Sequence, residues 1–526
     1  MIDHMTRKVL LTFCMLIYIA GCSKAPPNSD TNEPIDSKSQ SYGVSSSNPL
    51  AIDVGMEILN NGGTAADAAI AVSYALGVTE PYGSGIGGGG GMLIAPKSGK
   101  PTFIDYRESS PEDPSSRHQT AIPGLVAGMQ AVHDTYGSVP MEDLIQPAVD
   151  LAQDGFKVNE MLSARLARAE ARISSNETSL FYPDGEALEP GETLRQKKLA
   201  ETLRKIQKEG PEGFYKGEIA RDIKKKSDVD LMDLKRYEVK ERKPVKGTFA
   251  GYDVWTAPPP FSGITVLEML RLAEETDLGN SPDKSAYMKV LGGITNTAYE
   301  DRITHVGDGT SPAKAEQLLS PIHLTNLKDT IKNESWDNKE SHDNEEHEST
   351  THFVIMDKYG TVVSATNTLS NFFGSGDYTN GFFLNDQLKN FGSDLNDQEA
   401  YKRSRTFTAP TILEKPGKES IGIGLPGGDR IPQVLMQVLY SYSQKEGSFQ
   451  DIIDRYRFVF DGMNIHTETR LSNETISKLE DSGYEVIHDP DPMYYGGVQV
   501  LVRDEHNGRL SGAGDKRRDG SWKAHQ

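Results

Sequence analysis

A chain of 526 residues is too long for one ordinary hydrophobic core, so one large α/β unit or two domains is expected. With 36% hydrophobic and 25% charged residues it reads as soluble and globular rather than disordered. Acidic residues outnumber basic ones 76 to 56, a formal charge of −20, which argues against a nucleic-acid binder but leaves room for an anionic substrate held by local arginines.

Arg7 and Lys8 precede an apolar run from Val9 to Ala20, too short for a spanning helix and suited to a secretory signal. The run ends Ile19-Ala20-Gly21-Cys22, which resembles the lipobox of bacterial lipoproteins. That resemblance implies a signal over 1–21, lipidation of Cys22, and residence on the outer face of the cell membrane. The plainer alternative is an ordinary signal peptide with an incidental cysteine. The other cysteine, Cys14, lies inside the signal, so the mature chain has neither an internal disulfide nor cysteine catalysis.

Residues 22–47, rich in Ser, Pro, Asn and Lys, read as a flexible tether. Folded sequence begins near Pro49, with Asn48 as N-cap, Leu50, Val54 and Ile58 on one helical face, and Gly62-Gly63 as stop. Thr64 and Asp67 form a capping pair for an Ala-rich buried helix to about Leu76. Gly85 to Gly91 satisfies G-x-G-x-x-G formally, but it leads into strand-like Met92-Leu93-Ile94-Ala95 rather than a helix, so a dinucleotide site is not expected. A backbone passing where a Cβ would clash fits better. Residues 122–275 read as mainly helical, with Ala257 to Gly263 as a stiff loop, and 333–349 as a mobile acidic linker.

After the linker the sequence alternates. Thr350 to Asp357 and Thr361 to Thr368 are β-prone runs joined by Lys358-Tyr359-Gly360, a three-residue hairpin loop with Gly where a left-handed residue is wanted. Pairing Asp357 with Thr361 sets Thr350 opposite Thr368, with side chains about 5 Å apart. A one-residue slip would undo this. His347 and His352 are five apart and precede a strand, so the i, i+4 spacing of a zinc helix fails and no metal is expected. A threonine freed at the start of a chain carries a hydroxyl and an α-amine that titrates near ~8, a nucleophile and base in one residue. Ordinary strand propensity also accounts for a Thr-Thr pair.

The segment His347 to His352, with its Thr350-Thr351-His352, resembles the γ-glutamyltransferases, whose processed small subunit begins Thr-Thr-His. Asn60 to Ala69, Ser84 to Met92, Phe103 to Glu108, Thr368-Leu369-Ser370, Phe373-Gly374 and Pro426-Gly427-Gly428 resemble the same family in colinear order over roughly residues 43–522. The resemblance implies an α/β fold, the four-layer αββα sandwich of N-terminal-nucleophile hydrolases, from a precursor cut between Ser349 and Thr350. A large subunit of 48–349 and a small one of 350–526 would remain associated as a heterodimer. It implies Thr350 as nucleophile, Thr368 as the residue that aligns it, and Gly427 and Gly428 as an oxyanion hole. Arg107 would grip the donor α-carboxylate, for which a guanidinium fork is suited; a surface salt bridge is its bland alternative.

One departure bears on substrate. The commoner glutathione-cleaving pattern has an acidic residue for the donor's free α-ammonium; after Asn385-Asp386-Gln387 this chain has neutral Asn390. A Ser-Ser pair of that pattern is replaced by Arg405-Thr406-Phe407-Thr408. An amide hydrogen-bonds an acylated nitrogen, as found inside a poly-γ-glutamate chain, whose residues each carry a free carboxylate. Lys402-Arg403-Ser404-Arg405, Asp429-Arg430 and Lys516-Arg517-Arg518 look like the pattern of capsule-anchoring, poly-γ-glutamate-acting members in bacilli. Arg430 and Arg518 are then the expected carboxylate ligands, with Gln387, Asn390, Arg405 and Asp429 completing the substrate site. Solvated faces are the bland alternative for the basic clusters. The implied partners are the polymer and an amine acceptor, with cell-wall peptidoglycan as the candidate; no cofactor is implied. A secreted glutathione hydrolase, an inactive polymer-binding lipoprotein and another amidohydrolase of the same fold are the rivals.

Overall fold

The computed structural model describes residues 41–113, 118–173, 175–276, 284–333 and 349–526. Thirteen of the strands among these residues form two large antiparallel sheets. They are, in chain order, β1 (Tyr42–Ser46), β2 (Gly89–Ala95), β3 (Thr102–Asp105), β4 (Lys240–Arg242), β5 (Val245–Phe249), β6 (Tyr252–Thr256) and β7 (Ser349–Met356), followed by β8 (Val362–Ser370), β9 (Thr411–Lys415), β10 (Glu419–Gly424), β11 (Gln499–Asp504), β12 (Leu510–Gly514) and β13 (Ser521–His525). A seven-stranded sheet runs β13-β1-β7-β8-β2-β3-β4, and a six-stranded sheet runs β12-β11-β10-β9-β6-β5.

Period-two alternation builds the layers. Phe353 and Ile355 of β7 face one way, into a core shared with helices α1 (Pro49–Asn60), α2 (Ala65–Thr79), α3 (Leu125–Tyr136) and α4 (Met141–Asp154). Val354 and Met356 face the other way and meet Ile412 and Leu501 of the second sheet. That sheet's far face, with Ile421 and Ile423, packs on α5 (Gly263–Glu275), α6 (Lys284–His305) and α8 (Arg430–Ser443). Helix, sheet, sheet, helix is the expected αββα order. The two sheets approach closely because β10 offers glycine inward: a Cβ on Gly422 would meet Val354, and one on Gly424 would meet the His352 ring.

The local expectations are met in several places. Asn48 caps α1 by accepting from the Leu50 amide, and Thr64 and Asp67 form a reciprocal capping box on α2. That helix runs three residues beyond Leu76 because its flanks are buried on all sides. The glycine run does pass close to backbone: a Cβ on Gly87 would strike the Phe383 carbonyl, and one on Gly88 the Thr368 carbonyl.

Three expectations are corrected. Residues 42–46, read as tether, form β1 between β7 and β13; their Ser and Gly content hid a strand whose Ser45 hydroxyl is satisfied by Gln499 at 3.0 Å. The helical reading of 122–275 misses β4 to β6. Within it, Val245 and Phe249 are buried around exposed Lys246 and Thr248, and Ala250 and Gly251, both at positive φ, make the two-residue turn to β6. The linker reading runs one residue too far at each end: α7 (Pro321–Asn333) includes its first residue and β7 its last. The stretch 334–348, like the signal and Cys22, lies outside the described residues.

Candidate active site

The hairpin has the register derived from its loop: Thr350 pairs with Thr368, Met356 with Val362, and Gly360 stands at φ 92°. Adjacent strands therefore hold the two hydroxyls, 3.3 Å apart. Both donate to one acceptor, the Ser349 carbonyl oxygen, Thr350 at 2.6 Å and Thr368 at 2.7 Å. A bulge between Thr368 and Ser370 turns the Ser370 amide back onto the Thr368 hydroxyl at 2.9 Å, which leaves that hydroxyl oriented as a donor. On the other side the Ser349 hydroxyl donates to the Tyr82 carbonyl. The peptide link before Thr350 is thus fixed at its carbonyl, with a hydroxyl beside the carbon it could attack.

The second group lies along the segment 385–404. Asn371 binds the Asp386 carboxylate through its backbone amide at 3.0 Å and its side chain at 2.7 Å, docking the short turn Gln387–Asn390 against the end of β8. In that turn Asn390 Oδ1 accepts from the Ser370 hydroxyl at 3.4 Å, linking it through Ser370 to Thr368. Gln387 donates to the Ser404 hydroxyl at 2.9 Å, and Arg107 reaches the same oxygen at 3.5 Å. Arg107 is buried, with Glu108 3.8 Å from its Nε. Arg107, Gln387 and Asn390 are therefore brought together along 385–404, Asn390 reaching the threonine pair through Ser370. Ser404 as their junction was hidden by the basic residues around it, and Ser370 by its place within a motif.

The third group enters from the second sheet. Gly422 and Gly424 sit over Val354 and His352, so two residues further along each strand the chain after β10 comes level with Thr350. This stretch is Leu425 to Gly428. Gly427 and Gly428 have φ 152° and 58°, the positive region that glycine adopts freely. Among the described residues no backbone carbonyl accepts from either amide. Asp429 is clamped from behind, its carbonyl accepting from the Tyr299 hydroxyl of α6. Arg430 opens α8, donates to the Asp429 carboxylate at 2.9 Å and lies 4.5 Å from the Tyr494 ring centre. Arg518 donates to the neighbouring Met493 carbonyl at 2.9 Å. Gly496, just beyond, abuts Gly427. The turn Pro492–Tyr495 thus gathers the glycines, Arg430 and Arg518, a role no sequence signal marked for it.

The basic run 402–405 behaves differently. Lys402 pairs with Glu399 at the surface, while Arg403 is buried against Asp105 at 3.4 Å and the Glu238 carbonyl at 2.7 Å. Arg405 donates to the Ile303 carbonyl at the end of α6, at 2.7 Å.

Among the displaced titratable groups, two bear on the threonine hairpin. Burial lowers the His352 imidazole to about 3, so it stays neutral, bound to the Thr366 hydroxyl at 2.8 Å, and is too weak a base for the nucleophile. Burial raises the Glu80 carboxyl to about 7, tempered by the Ser47 hydroxyl at 3.0 Å. Glu80 is structural: its carbonyl accepts the Gly83 amide, closing the turn that presents the Tyr82 carbonyl to Ser349.

A family model described as gamma-glutamyltranspeptidase matches residues 51–525. The capsule biosynthesis protein CapD proenzyme of Bacillus anthracis is 50% identical over 533 residues, 99% of each chain. The glutathione hydrolase proenzyme of Escherichia coli (strain K12) is 32% identical over 558 residues, 95% of this chain and 94% of that protein. In three dimensions the cephalosporin acylase from Bacillus halodurans matches with a TM-score of 0.81 at 25% identity, over 92% of this chain and 96% of that one. With a match spanning nearly all of its length and a threonine hairpin at the junction of the sheets, this chain belongs to the gamma-glutamyltranspeptidase family, enzymes that transfer or hydrolyse γ-glutamyl groups.

Proposed function

We propose that the chain is an exported lipoprotein precursor that cuts itself between Ser349 and Thr350 and then acts on poly-γ-glutamate. The observation that carries the first half is the Ser349 carbonyl held by both threonine hydroxyls. In the precursor the Thr350 oxygen attacks the Ser349 carbonyl carbon while Thr368 donates to the oxygen that becomes negative. The C–N bond breaks, the acyl group moves to Thr350 Oγ as an ester, and its nitrogen becomes a free amine. Water then hydrolyses the ester. The mature Thr350 passes its hydroxyl proton to its own α-amine and attacks a γ-glutamyl carbonyl; Gly427 and Gly428 amides face the oxyanion. The amine fragment leaves, and water or an acceptor amine, cell-wall peptidoglycan among the candidates, takes the acyl group.

Neutral Asn390 supports the polymer as donor, because an internal α-nitrogen is acylated and carries no charge to pair. Arg107, Arg430 and Arg518, with Gln387 and Asp429, would hold its backbone and carboxylates. A relative named for capsule biosynthesis at 50% identity favours the same reading. Lipidation at Cys22 would keep the enzyme at the membrane's outer face beside such a polymer. Side-by-side kinetics test the substrate: kcat/KM on poly-γ-glutamate is expected to exceed that on glutathione by about tenfold or more, roughly 1.4 kcal/mol of transition-state preference. Equal or better turnover of glutathione would overturn it and support the glutathione hydrolase reading.

A further inference from the structure

Behind the second sheet, away from the threonine pair, three helices converge on a cluster the γ-glutamyl chemistry does not use. Glu268 of α5 is fully buried, and among the described residues neither of its oxygens receives a hydrogen bond. Asp301 of α6 is beside it, so two carboxylates share a low-dielectric pocket, which is costly for both without a cation. His323 of α7 turns Nε2 to Asp301 at 3.0 Å and to Glu268 at 3.9 Å. His305, the last residue of α6, puts Nε2 3.7 Å from the same Asp301 oxygen.

We propose that Glu268, Asp301 and His323 form a structural site for a divalent transition ion, zinc in the first instance, with a solvent oxygen completing the four ligands. Oxygen and nitrogen ligands at about 2.1 Å around one tetrahedral ion stand about 3.4 Å from each other. His323 Nε2, at 3.0 Å from Asp301 and 3.9 Å from Glu268, brackets that value, and one ligand atom from each of the three residues lies within 4.8 Å of the others. An imidazole beside two carboxylates suits zinc better than calcium or magnesium, which take oxygen ligands. The His323 imidazole is partly exposed while the carboxylates are buried, which gives the ion a way in.

The site would staple α5, α6 and α7 together. Helix α6 carries Tyr299, whose hydroxyl grips the Asp429 carbonyl, and α7 ends at Asn333, the last described residue before the segment that leads to Ser349. The ion would thus anchor the end of the larger chain once the junction is cut and steady the loop bearing Gly427 and Gly428 from behind.

The test uses tag-free full-length protein, stripped by a chelator and titrated with zinc chloride alone. Bound zinc after dialysis should approach one ion per chain, and the melting temperature should rise by about 4 °C or more. His323→Gln, which keeps a polar side chain of similar size at a partly exposed position, should lose both effects, and Glu268→Gln should lose them too. No retained zinc and no shift in the parent protein would overturn the site, as would an equal shift in His323→Gln. In either case Glu268 and Asp301 would be a proton-sharing acid pair instead. Because metal content and melting are read without substrate, failure here leaves the γ-glutamyl assignment standing, and failure there leaves the site standing.

Discussion

The hairpin at 349–370 and the basic run at 402–405 were both singled out by sequence, and they fare differently. In the hairpin, a loop of fixed length and a period of two determine which side chains meet, so Thr350 and Thr368 face each other as derived. In the basic run no period applies, and each cation follows a partner far away in sequence: Arg403 goes to Asp105 and Glu238, Arg405 to Ile303. The uncharged residue among them, Ser404, is the one that meets Arg107 and Gln387. Local geometry is readable from local sequence; the destination of a long charged side chain is a property of the assembled fold.

The contrast can be broken at its strong end first. Thr350→Ala removes the proposed nucleophile and base together, and γ-glutamyl turnover should fall by at least about 10⁴-fold, while the uncut chain keeps its thermal transition. Retained turnover would remove the hairpin from the chemistry. Next in size is Gly428→Ala, which puts a Cβ at φ 58° and disturbs the amide proposed to face the oxyanion. A loss in kcat of about 10²- to 10³-fold is expected, with KM little changed.

The arginines sharpen the comparison. Arg430→Ala should raise KM for the polymer about tenfold, the loss of the proposed substrate-carboxylate contact of about 1.4 kcal/mol, with a smaller cost in melting than in Arg403→Ala because its partner Asp429 is itself partly exposed. Arg403→Ala should do the reverse, destabilising the fold by about 3 kcal/mol because it leaves Asp105 short of a buried partner. Steady-state kinetics and chemical denaturation on the same two variants separate the roles; matching behaviour of the pair would erase the distinction drawn here.

The smallest effect is in pH dependence. His352 is neutral in the fold down to about 3, whereas an unfolded imidazole takes its proton near ~6.5. Between these values the unfolded chain holds more protons, so this group makes stability fall as pH falls from about 6.5 towards 3. Glu80, raised to about 7, acts with the opposite sign as pH rises from the usual carboxyl range. Denaturation midpoints of His352→Gln should therefore lose less than those of the parent between pH 6.5 and pH 4, tested in buffers of equal ionic strength. An unchanged slope would contradict a neutral His352.

Much of the architecture was legible wherever a capping residue, a glycine or a strand period acted locally. Asn48, the Thr64–Asp67 box and the glycines that let backbones approach are of this kind. The αββα order and the roles of Gly427 and Gly428 came through family resemblance, because strands as distant as 102–105, 362–370 and 521–525 pair only after folding. β1 stayed hidden because Ser45 and Ser46 look like tether residues until Gln499 and its neighbours are placed beside them. The turn carrying Met493 and Tyr494 was equally silent, since no capping residue, spacing or charge pattern there points to the glycines and arginines it meets.

One measurement bears most directly on the account: intact-mass analysis with N-terminal sequencing of the active, purified enzyme. Two chains, the smaller beginning at Thr350 and carrying the γ-glutamyl adduct when trapped with substrate, is the predicted result. A fully active preparation whose 349–350 junction is unbroken would contradict it.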